Sequence, residues 1–169
     1  MSLADSSSQS SSLRFVLRAS SSAEARLYIT SPFILGSLLL ILGAAIRKTC
    51  FIYLGRMFTF QLALLKEHKL VTSGPYAVVR HPSYTGFIML VDGLALVHLA
   101  PGSYLAECGL LDAWWGRAAV GAACVAAVGL QGVVVGRTRR EDEVLRREFG
   151  SAWEEWARRT RYRLVPYVY

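Results

Sequence analysis

Three stretches of the chain are apolar at nearly every position, residues 27–46, 84–100 and 118–136. A helix on the surface of a soluble domain would show an apolar stripe with a polar back face. Runs that are apolar all round, and near the roughly 20 residues needed to cross a bilayer's hydrocarbon core, predict membrane-spanning helices instead. The first run ends at Arg47 and Lys48, the second is stopped by Pro101 and Gly102, and the third is followed at once by Arg137. Residues 51–65 are apolar but shorter and contain Arg56, Thr59 and Gln61, which predicts a partial or tilted span. After Arg137 the pattern becomes charged, with Leu145, Phe149, Trp153 and Trp156 at helical spacing and Gly150 between them. It predicts an amphipathic segment against the membrane or the bundle, broken at Gly150. The expected fold is therefore an all-α integral membrane protein: a helical bundle with about three clear spans, one partial span and a C-terminal amphipathic helical segment. Trp153, Trp156, Tyr162, Tyr167 and Tyr169 read as interfacial anchors.

Composition agrees with that picture, since 53% of the 169 residues are hydrophobic and only 18% charged. The formal charge is nevertheless +7, so the polar surface is basic, which suits an anionic leaflet of membrane lipid. A nucleic-acid partner would leave the apolar runs unexplained. Residues 1–26 are rich in Ser and carry Arg14, Arg18 and Arg26 without a continuous apolar core. They read as a disordered cytosolic tail ahead of a membrane domain at 27–169, although a mitochondrial presequence shares the same bias. Cys50, Cys108 and Cys124 are scattered and odd in number, which fits neither a zinc site nor a disulfide framework, so no metal is expected.

Charge also orients the spans. Lys66, Lys69 and Arg80 precede the second run and Arg137, Arg139 and Arg140 follow the third, whereas the connection between them holds Glu107 and Asp112 and no Lys or Arg before Arg117. If the two runs form a hairpin, the positive-inside rule puts its outer ends in the cytosol.

Two polar clusters would then converge at that face. Residues 68–84, HKLVTSGPYAVVRHPSY, hold two histidines, an arginine and two tyrosines in a segment shaped by Gly74, Pro75 and Pro82. Residues 137–143, RTRREDE, put Arg137 and Glu141 four apart, on one face of a continuing helix. Spacing alone favours an ordinary solvated ion pair there, and the hairpin is what raises a ligand-binding reading. Gln61 is an amide on an apolar face, in need of a helix partner or a ligand. Asp92 and His98 read as interior packing or hydrogen-bonding groups. Signatures of dinucleotide folds, P-loops, zinc proteases and serine hydrolases are absent from the sequence.

GPYAVVRHPSYTG, preceded by HKLV and followed by E-x3-L-x3-FG-x2-W-x2-W and a terminal RLVPYVY, resembles the isoprenylcysteine carboxyl methyltransferases from about Arg47 onward. The resemblance implies the protein-S-isoprenylcysteine O-methyltransferase activity, with S-adenosyl-L-methionine as cofactor, prenylated CAAX-type proteins as substrates, and a multi-pass location in the endoplasmic reticulum membrane. Carried over to this chain, it implies cofactor contacts at Gln61, His68, Lys69, Leu70, Val71, Tyr76, His81, Pro82, Ser83, Tyr84 and Glu141. Arg137 corresponds to the family's substrate arginine, and Arg137 and Glu141 are the expected catalytic pair. Members of that family carry further spans upstream, which leaves a truncated product, a shorter natural form or an oligomer that completes the bundle as the readings here. Three rivals remain: an NADPH-dependent sterol reductase, suggested by the terminal YR-x-x-PYxY; a phospholipid N-methyltransferase using His68 or His81 as base; and a non-catalytic relative that keeps the fold.

Overall fold

The computed structural model describes residues 27–55 and 69–169. Five helices are present among them: α1 Ser31–Leu54, α2 Pro82–Leu99, α3 Tyr104–Glu107, α4 Trp114–Phe149 and α5 Ser151–Arg159, with short 3-10 turns at Gly74–Ala77 and Leu110–Asp112. No strand occurs among the described residues. Among the described residues, three segments are long and apolar enough to cross a membrane, Ser31–Leu54, Pro82–Glu107 and Trp114–Phe149. The all-α membrane class is thus the observed one.

Two expected boundaries differ. The first span does not stop at Arg47 and Lys48, because α1 continues to Leu54 and absorbs the start of the expected partial span. Neither residue breaks a helix, and the Arg47 guanidinium finds partners at 5.3 Å over the Phe51 ring and 5.8 Å over the Phe87 ring. The rest of the partial span, with Gln61 and His68, and the tail at 1–26 lie outside the described residues. The third span likewise continues past Arg137 as one helix of 36 residues.

The chain divides into two compact units. In the first, among described residues 27–37 and 93–125, Thr30 donates to the Pro101 carbonyl, and Ser103 caps α3 by accepting from the Ala106 amide. A cavity of about 530 Å³ opens there between Tyr28, Phe33, His98 and Tyr104.

The second unit, among described residues 38–55, 69–92 and 126–169, holds the site. In it α1 and α2 approach closely at Gly43 and Gly86, where an added Cβ on either would lie 2.7 to 2.8 Å from the other's carbonyl oxygen. Small residues at such crossings let helix backbones meet without help from a hydrophobic driving force. Residues 81–92 run antiparallel to 131–142: His81 meets Asp142 at one end, and Gln131 donates to Asp92 at 2.7 Å at the other. Asp92 does hydrogen-bond, but it and His98 are exposed rather than interior.

The core of this unit is Cys50, Tyr76, Trp153 and Trp156, flanked by Ile46, Leu54, Leu70, Val71, Leu145, Phe149 and Ala157. Trp153 and Trp156 are therefore buried, not interfacial anchors. Gly150 makes this possible, since its φ of +50° and ψ of −121° break the helix and turn α5 so that both indoles face inward. The Trp156 indole then donates to the Tyr76 carbonyl at 3.1 Å.

Candidate active site

The segment before α2 is shaped by its prolines and glycine. Gly74, at φ +60°, opens the 3-10 turn, with Pro75 as its second residue. Pro82 starts α2, so Arg80 and His81 lie outside the helix with their backbone amides free to pair elsewhere. They do so with the C-terminal segment: the Arg80 amide donates to the Tyr162 carbonyl at 2.9 Å and the His81 amide to the Arg163 carbonyl at 2.8 Å. One helical turn on, Thr85 donates to the Leu164 carbonyl at 2.6 Å.

Side chains from α2 and α4 meet over this scaffold. The Tyr84 hydroxyl donates to Glu141 Oε1 at 2.6 Å, and Arg137 Nε donates to the same oxygen at 3.0 Å. His81 lies between two consecutive carboxylates, with Nε2 3.0 Å from Asp142 Oδ1 and Nδ1 3.4 Å from Glu141 Oε2. Burial alone would lower the His81 pKa, but the hydrogen bonds and charges of Asp142 and Glu141 outweigh it and raise it above the ordinary value. With both ring nitrogens facing carboxylates, the imidazolium is the form that satisfies the site. Arg80 Nη2 at 3.5 Å and Arg163 Nε at 2.9 Å complete the shell of Asp142.

Of the residues expected from sequence, His81, Tyr84, Arg137 and Glu141 converge in direct contact. The Ser83 carbonyl and hydroxyl accept from Arg47, at 3.2 and 3.4 Å. Pro82 is buried at the first turn of α2, and Leu70 and Val71 pack on the aromatic core. Tyr76 is buried in that core, and burial together with Cys50 and Glu141 pushes its phenol pKa well up. Lys69 is exposed. Three participants escaped sequence reading: Arg47, taken as the end of a span; Asp142, lost in a charge run; and Arg163, lost in a basic tail. The signal for Asp142 was available, since consecutive acidic residues on a helix face 100° apart and one of them had to face the bundle.

The Arg137–Glu141 pair is the ion pair that spacing predicts, but it is not an ordinary solvated one. The Glu141 side chain is only 20% exposed and has two further partners, whereas Arg137 remains 35% exposed. The arrangement offers an accessible cation beside an anion whose Oε2 has room for another donor. That donor set suits a ligand that brings hydroxyl or ammonium groups to Glu141 and a carboxylate to Arg137.

Part of the chain is similar to known proteins. The model of the isoprenylcysteine carboxyl methyltransferase family matches residues 35–111. That segment is similar to the family's sequence. It contains most of α1, the shaped segment and α2, and so includes His81 and Tyr84. Over 73 residues the chain is 42% identical to protein-S-isoprenylcysteine O-methyltransferase B of Arabidopsis thaliana, covering 42% of this chain and 37% of that protein. A probable protein-S-isoprenylcysteine O-methyltransferase of Oryza sativa subsp. indica is 29% identical over 126 residues, 73% of this chain and 56% of that one. A Delta(14)-sterol reductase of Mus musculus is 27% identical over 105 residues, 60% of this chain but 20% of the reductase. The chain thus spans about half or less of the length of the family relatives it matches.

Proposed function

We propose that this protein is a protein-S-isoprenylcysteine O-methyltransferase, esterifying the C-terminal carboxylate of prenylated CAAX-type proteins with S-adenosyl-L-methionine as the methyl donor. It works in the endoplasmic reticulum membrane with the α2/α4 polar cluster facing the cytosol. The observation that carries the reading is the contact of Tyr84 and His81, inside the family-matched segment, with Glu141 beside Arg137.

When bound, S-adenosyl-L-methionine supplies a methyl group on a sulfonium, an electrophile suited to in-line displacement. The residues that would hold it are Glu141, His81, Tyr84 and the 69–71 segment, with Gln61 and His68 from the part of the chain outside the described residues. A carboxylate is already ionised near neutral pH, so the site needs no general base. His81, committed to two carboxylates, is accordingly not required as one. The work left to the protein is alignment, which can be worth about 7 to 11 kcal/mol when reacting groups are held in near-attack geometry. Arg137 orients the substrate carboxylate. Its Nε is engaged by Glu141, which tempers its hold and leaves one substrate oxygen nucleophilic.

The similarity to a sterol reductase supports one alternative, an NADPH-binding protein of the same architecture. Binding of labelled S-adenosyl-L-methionine against NADPH separates the two. The direct test is methyl transfer to N-acetyl-S-farnesylcysteine by membranes containing the protein, read as released labelled methanol after base hydrolysis. Transfer above that of empty membranes supports the proposal, and transfer equal to empty membranes sinks it.

A further inference from the structure

Glu141, the proposed donor-binding carboxylate, does not set its own position. Its Oε2 faces His81 Nδ1 at 3.4 Å, and the opposite edge of that ring is tied to Asp142 Oδ1 at 3.0 Å. The second oxygen of Asp142 takes the hydrogen bond from Arg163 Nε at 2.9 Å and lies 3.5 Å from Arg80 Nη2. Arg163 is held in turn: its Nη1 donates to the Tyr169 hydroxyl at 3.1 Å, which also accepts from Arg139 Nε at 3.3 Å. The main-chain oxygen of Tyr169 accepts from the amides of Arg163, Leu164 and Val165, at 2.9, 2.9 and 3.1 Å. These contacts form one continuous chain from the last residue of the sequence to the site.

We propose that Asp142 and Arg163 are positioning residues, which fix the His81 ring in the orientation that presents Nδ1–H to Glu141, and so set the affinity of the site for the methyl donor. The inference rests on the proposed donor-binding role of Glu141. Asp142 has no approach of its own to a ligand, since its side chain is only 5% exposed and its two oxygens are taken by His81, Arg163 and Arg80. Glu141, at 20% exposure, is the member of the pair that a ligand can reach. One ring bridging two consecutive residues of α4 also locks the rotation of the helix at this level. The groups facing His81 are Asp142 and Glu141 from α4 and the Tyr84 ring from α2, stacked at 5.9 Å. The raised His81 pKa is what such a bridge produces.

The chain has only three histidines, so His81 can be followed by ring-carbon and ring-nitrogen NMR of histidine-labelled protein in nanodiscs, with His68→Gln and His98→Gln giving the assignments. The full chain and its Asp142→Asn, Asp142→Glu, Arg163→Gln and Glu141→Gln variants are titrated, and labelled S-adenosyl-L-methionine binding is measured on each. The wild type should hold His81 charged above the pH at which an ordinary imidazole titrates. Asp142→Asn should bring its titration down by about one unit and weaken donor binding about tenfold, with KM for the prenylcysteine unchanged. Arg163→Gln should do the same to a smaller extent, and Asp142→Glu should recover part of the loss. An Asp142→Asn protein whose His81 titration and donor affinity both match wild type overturns the inference. So does a loss that affects both substrates equally and tracks thermal stability alone. If wild type binds no donor, the proposed function fails, and the His81 titrations still decide whether Asp142 holds the ring toward Glu141.

Discussion

The two halves of α4 use burial in opposite ways. Up to Gly136 the helix is mostly glycine, alanine and valine, and in its most apolar stretch no residue is buried by the rest of the protein. Val125, Val128 and Val133 are each more than two-thirds exposed. Beyond Arg137 the sequence is charged, yet Thr138 is fully buried and Asp142 is 4% exposed. In water this distribution would be inside out. In a bilayer it follows from the solvent, because lipid tails are as apolar as valine and give that half no reason to seek protein. The charged half needs partners, and it finds them in His81, Arg80 and Arg163. Glycines differ in the same way between helices. Gly129, Gly132 and Gly136 of α4 have open space where a Cβ would go, whereas Gly43 and Gly86 meet backbone.

The sharpest way to break the contrast is to remove the carboxylate at the centre of the charged half. Asp142→Ala leaves three buried or half-buried cations without their shared anion, and a stability loss of about 3 to 5 kcal/mol is expected by thermal or denaturant unfolding in detergent. An unchanged midpoint would mean that the network carries no stability. Trp156→Phe keeps most of the ring but strands the Tyr76 carbonyl, for an expected loss of about 1 to 3 kcal/mol in the same assay. Loss of no more than a few tenths would show that the indole hydrogen bond is dispensable.

The pH dependence sharpens the comparison further. His81 is stabilised in its charged form, so its contribution is complete below its unfolded pKa of about 6.5 and drains away as pH rises through the higher folded value. Tyr169 acts in the opposite sense. Hydrogen bonds from Arg139 and Arg163, against slight burial, bring its phenol from 10 to about 8, so its contribution is gained between those values. The difference in melting temperature between wild type and His81→Gln isolates the histidine, and it should shrink as pH rises past the ordinary imidazole value. A difference that grows with pH would reverse the assignment of charge to the ring. Least is expected in the apolar half, where Gly129→Ala meets no atom within 4 Å and should change stability by no more than about 1 kcal/mol, toward greater stability. A loss of several kcal/mol there would mean that this face is packed against protein.

The same division explains what could be read in advance. The apolar runs revealed the spans because lipid demands a property of consecutive residues, and the convergence of His81 and Tyr84 with Glu141 followed from treating two runs as a hairpin. A helix end was misplaced where Arg47 looked like a stop, since a basic residue marks the edge of the hydrocarbon but does not end a helix. Trp153 and Trp156 were misread as anchors because an amphipathic pattern identifies an apolar face without saying whether it meets lipid or protein. The Gly150 turn decides that, through a backbone angle that spacing does not reveal. Asp142 and Arg163 were missed for a related reason: their partners are 61 and 21 residues from Asp142 along the chain.

The buried charged half of α4 is proposed to form a methyl-transfer site. The most direct test of that proposal is single-turnover transfer of labelled methyl from S-adenosyl-L-methionine to N-acetyl-S-farnesylcysteine by the purified protein in nanodiscs, with Glu141→Gln and Arg137→Ala alongside. The account predicts transfer by wild type. It predicts a fall on the order of 100-fold in Glu141→Gln, with loss of donor binding, and a raised prenylcysteine KM with intact donor binding in Arg137→Ala. Full activity in both variants would contradict it.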